Sequence, residues 1–424
     1  MGRVRNLSCF TSDHCPILLT LDSEGEKHRW KRKPFRFEAM WLTDLGCHHT
    51  VSRAWESNSS GAPMFRVMKK LKKCKMLLKK WSKAQFGSVL VQIRETKVAL
   101  WKAEENAMKG GDYQEVIRLK SKLNLLLDRE EQMWHQRAHV KWVQCGDKNT
   151  KFFNGTATQR KRRNFIKGLL DDQRVWNREE EVVSALLVDY YGSLFTSSNP
   201  HNLDSVLEGV QLVVTDDMNP KLVERYTAEE VAAAIKEMAL LKAPGPDGMP
   251  PLFFQTYWLD IGMDIIELVL SSLNSGSLLK SINHTFITLI SKVKNPERVT
   301  EFRPISLCNV IYKITSKVIA NKLKPLLNSI ISKTQSAFIA GRLITDNVLI
   351  AFELLHHMKT NCLGKRGFMA LKLDMSKVYD RVEWVYTTEI GLSTVMGRSN
   401  YGVCDDGFVF YLGEWRTKRN DLFD

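Results

Sequence analysis

The sequence contains no Cys-x-x-Cys pair. Its eight cysteines, Cys9, Cys15, Cys47, Cys74, Cys145, Cys308, Cys362 and Cys404, are scattered over 424 residues, which excludes a zinc ribbon and a disulfide framework and suits a reducing compartment. No stretch approaches the ~20 apolar residues of a membrane span. No apolar targeting segment follows Met1, and Asn6 interrupts an N-myristoylation pattern. These absences predict an intracellular protein, in nucleus or cytoplasm, without a membrane partner. Internal repeats and low-complexity tracts are missing as well, so the length is expected to divide into two or three ordinary units.

What is present is a basic chain with enough apolar material to fold. Hydrophobic residues make up 44%, and 62 Lys and Arg against 47 Asp and Glu leave a net charge of +15. Such an excess calls for a polyanion: nucleic acid first, an anionic membrane surface second.

Pro16-Ile-Leu-Leu-Thr-Leu21 reads as a strand closing something whose earlier part is absent. Residues 64–108 and 112–143 follow helical periodicity, with Lys109-Gly-Gly-Asp112 as the break. In the second arm Val116, Leu119, Leu123, Leu126, Met133 and Val140 form a narrow apolar seam, which predicts a helical hairpin. The first arm carries nine cations and no acid between Met64 and Lys83: Arg66, Lys69, Lys70, Lys72, Lys73, Lys75, Lys79, Lys80 and Lys83. Self-repulsion on that scale favours a polyanion contact over a merely solvated face. Arg160, Lys161, Arg162 and Arg163 lie between Phe152-Phe153 and Phe165. Cations among aromatic faces suit single-stranded nucleic acid, although a nuclear-import patch or a surface loop accounts for them equally.

From Tyr226 the texture is α/β. Thr227 and Glu230 have capping-box spacing before a helix expected to reach Leu241, and the proline-rich run that follows forbids a regular element. Residues 285–290 are β-rich, 305–327 mainly helical, and 369–374 a strand ending on Asp374. A carboxylate at the end of a rigid strand can be aimed at Mg²⁺, and Tyr379 could lie under the sugar of a nucleotide, but a strand-terminal Asp is as often a turn former. His135 and His139 lack a third metal ligand, and Gln136 stands where a metalloprotease would need Glu, so a solvated helix face is expected there. Cys47-His48-His49 reads as ordinary surface or loop.

Leu371-Lys-Leu-Asp-Met-Ser-Lys-Val-Tyr-Asp-Arg-Val-Glu-Trp384 resembles the first palm motif of plant LINE-type (non-LTR) retrotransposon reverse transcriptases, in which Ala usually stands at the position of Val378. Leu241-Lys-Ala-Pro-Gly-Pro-Asp-Gly-Met-Pro250, Phe286-Ile-Thr-Leu-Ile-Ser-Lys292, Phe302-Arg-Pro-Ile-Ser-Leu307 and Gln335-Ser-Ala-Phe-Ile-Ala-Gly-Arg342 resemble the finger motifs, in the same order. The resemblance implies an RNA-directed DNA polymerase, a nucleotidyltransferase with Mg²⁺ as cofactor and RNA and DNA as partners. It implies Asp374 as a palm metal ligand, Tyr379 as the gate against ribonucleotides, and Lys292 and Arg303 as the grip on the triphosphate. Ser12-Asp-His-Cys-Pro-Ile17 resembles the closing motif of the apurinic-type endonuclease that precedes the polymerase in these elements, with Asp13 orienting His14. The remaining residues of that catalytic set should lie before Met1, so no nicking is expected. Trp142-Val-Gln-Cys-Gly-Asp-Lys-Asn-Thr-Lys-Phe-Phe153 is similar to the connecting region of plant members.

Beyond Trp384 the resemblance ends. Neither the second palm motif nor the Tyr-x-Asp-Asp hairpin is found. Asp405 follows Asp374 by only 31 residues, too few for the intervening helices of a palm, so Asp405-Asp406 reads as a turn. The expected architecture is α+β. An endonuclease/exonuclease/phosphatase-type α/β sandwich remnant (1–24) precedes a basic helical connector (25–219), then fingers and a partial palm of a right-hand reverse transcriptase (220–384), then a divergent tail (385–424). The expected function is that of a truncated, inactive reverse-transcriptase fragment. The alternatives are a non-catalytic RNA- or DNA-binding protein and a pseudogene product without a selected role.

Overall fold

The computed structural model describes residues 2–6, 17–21, 34–57, 60–138, 150–196, 207–208, 213–215, 217–337, 339–360 and 369–373. Two units are distinguished, Met1–Pro34 and Phe35–Asp424. In the first, β1 (Gly2–Asn6) runs antiparallel to β2 (Ile17–Leu21), with Gly2 opposite Leu21. The expected strand thus has a partner inside the same chain. One strand pair does not establish an endonuclease-type sandwich.

The second unit is mostly helical. Its first half contains α1 (Leu45–Trp55), α2 (Pro63–Trp81), α3 (Val89–Met108), α4 (Tyr113–Ala138) and α5 (Thr150–Arg163). The first basic arm is therefore two helices rather than one. A π turn at Ser82–Phe86 leads into Gly87, whose φ of +70° suits glycine and ends the helical run. The break at 109–112 forms as expected, with Gly110 at φ +89°, and α3 and α4 pack together across it. Of the anticipated seam, Val116, Leu119, Leu126 and Met133 are buried; Val140 lies outside the described residues.

Next come β3 (Leu169–Leu170), β4 (Trp176–Asn177) and α6 (Glu180–Phe195). The chain then forms α7 (Asn219–Val223), α8 (Ala228–Lys236), α9 (Pro251–Thr256), α10 (Trp258–Ser275) and α11 (Lys280–Asn283). The hairpin β5 (Phe286–Ser291) and β6 (Phe302–Leu307) precedes α12 (Val310–Leu323), α13 (Leu327–Ile330) and α14 (Ile344–Thr360). The capping box is real: Glu230 N–H donates to Thr227 Oγ1 at 3.3 Å, and Thr227 N–H to Glu230 Oε2 at 2.9 Å. The helix stops at Lys236 rather than Leu241. There Gln255 Nε2 donates to the carbonyls of Ile235 and Met238, each at 2.8 Å, and so satisfies its C-terminal end.

Three sequence expectations need correction. Residues 305–307, assigned to a helix, belong to β6, because Pro304 favours extended backbone and the six-residue register from Phe286↔Leu307 to Ser291↔Phe302 pairs them with β5. Residues 369–373 form no strand, and Met369, Leu371 and Leu373 are exposed. Among the described residues no strand runs beside them, and cross-strand pairing is what stabilises a sheet. Cys47 is core rather than surface. The helical period of α1 places Cys47, Val51 and Ala54 on one fully buried stripe.

One hydrophobic core draws on both sides of residue 219. Phe37, Trp41, Leu71 and Leu78 share it with Phe253, Ile265, Val269 and Ile314. The rings of Phe37 and Phe253 meet edge to face at 5.4 Å, as do those of Phe37 and Trp41. A second, smaller cluster beneath the hairpin joins Leu289, Val299 and Phe302 to Val183, Leu187 and Tyr191 of α6 and to Leu169 of β3.

Candidate functional site

The proline-glycine loop from Ala243 to Pro251 is held from four directions. Gly248, at φ +78°, turns its carbonyl to the N–H of Phe37 at 3.0 Å. A Cβ at Gly248 would stand 2.1 Å from the Phe35 carbonyl oxygen, so only glycine fits. From below, Asn309 accepts the N–H of Asp247 at 3.2 Å. Its amide donates to the carbonyls of Ser281 and Ile282 at 3.1 Å each. Lys313 Nζ donates to the Ala243 carbonyl at 2.8 Å, and Lys75 Nζ to that of Pro246 at 3.4 Å while lying 5.6 Å from the centre of the Phe35 ring.

Asp247 sits among these groups and keeps a partial opening to solvent. Burial pushes its carboxyl up to about 6. The Met249 N–H, bound at 3.0 Å, and the charges of Lys75 and Lys313 pull the other way without prevailing. Burial also lowers the Lys313 ammonium. Because the Asp247 carboxyl titrates above its ordinary value of 3.8, its contribution favours the folded state below pH 4 and is lost as pH rises through 6. Asp247→Asn is expected to remove that dependence. Relative to the parent, the variant should gain about 1–3 kcal/mol in urea denaturation at pH 7 and nothing at pH 4.

The β5–β6 hairpin has two unlike faces. Ile287, Leu289 and Phe302 pack on α6, whereas Arg303 and Ile305 are exposed on the other face, with Arg303 opposite Ile290. The ladder continues for one residue, since Lys292 N–H donates to the Glu301 carbonyl at 2.8 Å. By strand alternation Lys292 therefore falls on the same open face as Arg303. Its ammonium donates to the Thr300 carbonyl at 3.0 Å. The next loop is organised by Arg342, which donates to the carbonyls of Ser332 at 2.5 Å, Gln335 at 2.7 Å, Ile331 at 3.2 Å and Asn328 at 3.3 Å.

The basic clusters separate by burial. On α2, Lys70 faces Asp264 at 2.7 Å and Arg66 faces Glu267 at 2.5 Å, whereas Lys69, Lys72, Lys79 and Lys80 point to solvent and Lys73 is half-buried. On α5, Arg160, Arg162 and Arg163 are exposed, and Arg160 caps the Ala138 carbonyl; the side chain of Lys161 lies outside the described residues. Phe153 is 2% exposed, packed against Ala138 and edge-on to His135 at 5.5 Å, so its face is not offered to a ligand. Phe165 is 41% exposed.

Asp13, His14, Asp374, Tyr379, Asp405 and Asp406 lie outside the described residues. Among the described residues no three His, Cys, Asp or Glu side chains converge as a metal site, so the described part of the chain does not by itself supply a Mg²⁺ cage. Asp247, Asn309 and Arg342 were not singled out from sequence. The one available signal was an amide residue, Asn309, standing between an extended run and a helix start.

The proline-glycine loop, the hairpin and the Arg342 loop thus occur in order, each with basic residues placed at it by the fold. Residues 291–390 match the family described as "Reverse transcriptase (RNA-dependent DNA polymerase)". This segment is similar to reverse-transcriptase domains. Two relatives match over longer stretches. The chain is 27% identical over 274 residues to the "Transposon TX1 uncharacterized 149 kDa protein" of Xenopus laevis, covering 64% of this chain and 21% of the relative. It is 25% identical over 217 residues to the "Retrovirus-related Pol polyprotein from type-2 retrotransposable element R2DM" of Drosophila melanogaster, covering 51% and 19%. The chain spans about a fifth of the length of either relative. No described helix is long and apolar enough to cross a membrane.

Proposed function

We propose that the protein is the fingers and first palm segment of a LINE-type retrotransposon polyprotein, of the plant kind, and that its partners are RNA and DNA. The observation that carries this reading is the exposed Arg303 on β6 with the exposed Lys292 just past the end of β5, both within the residues 291–390 that match reverse transcriptases. Two cations on a rigid strand pair suit the negative charge of a nucleoside triphosphate. Asp374 would be the metal ligand and Tyr379 the sugar gate. Reverse transcriptases use Mg²⁺, which neutralises charge developing on the phosphates. Asp13 and His14 would belong to the closing motif of an apurinic-type endonuclease.

The 424-residue chain by itself is expected to be silent as a polymerase, since Asp374 stands without the Tyr-x-Asp-Asp carboxylates. The test is incorporation of labelled deoxynucleotide on a primed RNA template. Background incorporation, equal to that of Asp374→Asn, is the expected result. Incorporation that Asp374→Asn abolishes would show a complete site and overturn the inactivity.

A further inference from the structure

The nine cations of the first basic arm are not equivalent, and the difference is geometric. At 100° per residue, Phe65, Lys69, Lys72, Lys73, Met76, Lys79 and Lys80 occupy an arc of about 120° on α2. Arg66 and Lys70 lie on one edge of that arc, where Glu267 and Asp264 of α10 neutralise them. Lys70 is further fixed there: Asp264 also accepts the Trp55 indole N–H at 2.6 Å, and the ammonium lies 5.5 Å from the Trp55 ring centre. Lys75, on the other edge, is turned to the proline-glycine loop. Within the arc there is no acid, and the nearest acids on α10 are already engaged.

Phe65 and Met76, 56% and 62% exposed, lie along the centre of the arc, with lysines on both sides. An exposed ring between two rows of ammonium groups matches a strand whose phosphates and unpaired bases alternate. We propose that the outward face of α2 is a rail for single-stranded nucleic acid. Lys69, Lys72, Lys79 and Lys80 hold the phosphates, and Phe65 receives a base. The rail is about 17 Å long from Lys69 to Lys80. A lipid surface is disfavoured because the apolar face of α2, Val67, Leu71, Cys74 and Leu78, is committed to the protein core and cannot enter a bilayer. The proposal rests on the reading of the chain as a nucleic-acid-binding segment and gives that reading a surface.

The test measures binding of a fluorescein-labelled oligouridylate of about 20 nucleotides to the full chain by anisotropy at increasing KCl. In the variant with Lys69, Lys72, Lys79 and Lys80 all changed to Gln, the slope of log K against log salt should fall by about 3, at roughly 0.7 per lost phosphate contact. Affinity should drop at least tenfold at low salt. Gln keeps the helix propensity of Lys, and circular dichroism verifies the fold. Lys70→Gln should leave the slope unchanged, and Phe65→Ala should weaken binding roughly tenfold without changing the slope. An unaltered slope in the fourfold variant would overturn the rail. So would competition by polyglutamate as strong as that by unlabelled oligouridylate, or equal affinity for a duplex together with a silent Phe65→Ala. No binding by the parent chain at any salt would instead remove the nucleic-acid reading on which the rail depends.

Discussion

Phe37→Ala is expected to cost about 3–5 kcal/mol, measured as a fall in the urea midpoint of the full chain. Phe37 is fully buried between Trp41 and Phe253, and its N–H carries the bond to Gly248. The effect would be large for a residue that stands 206 positions before Ala243, where the proline-glycine loop begins. Truncation removes the ring from a close-packed nest, and rigid aromatic neighbours collapse poorly into the cavity. The same reasoning predicts that residues 220–424 expressed alone lack a cooperative transition, because Phe253, Ile265 and Ile314 would lose the apolar surface that α1 and α2 provide. A midpoint shift below about 1 kcal/mol for Phe37→Ala would mean that the leading segment only rests on the helices that follow residue 219.

Gly248→Ala should be comparably severe, by about 3 kcal/mol or more. Two costs combine: a φ of +78°, which L-residues adopt at about 1–2 kcal/mol, and a methyl group driven to 2.1 Å from the Phe35 carbonyl oxygen. Relief requires the loop to withdraw from residues 35–37, which breaks the Phe37 bond. Amide exchange at Phe37 is the direct readout, with loss of protection expected even under conditions where the rest of the chain stays folded. Retained protection at that amide would show that the loop accommodates a side chain.

Much of the secondary structure was legible because it obeys local rules. The Thr227 cap, the break at 109–112 and the strand at residues 286–290 each depend on neighbours within a few positions. Gly87 was missed because one glycine in a strong helical pattern is tolerated unless the chain turns at it. The helix assigned to residues 305–307 and the surface assigned to Cys47 failed for a common reason. What decides them is a partner far along the chain: β5 in one case, and in the other the core that takes Tyr257, whose hydroxyl lies 3.4 Å from the Cys47 sulfur. The candidate site divides the same way. Motif order pointed to Lys292 and Arg303, but the role of Asn309 depends on Ser281, Ile282 and Asp247 arriving together, which no spacing rule encodes. Charge counting found the basic arm, and only packing against α10 separates its paired cations from the free row.

The cluster under the β5–β6 hairpin is distinct from the principal core, and this gives the two packed regions separate vulnerabilities. A substitution at Leu187 or Phe302 loosens the strand pair that displays Arg303 and leaves the aromatic nest around Phe37 intact. The reach of that arginine is thus adjustable by mutation at little cost to the rest of the chain, a latitude that the tightly clamped proline-glycine loop does not share.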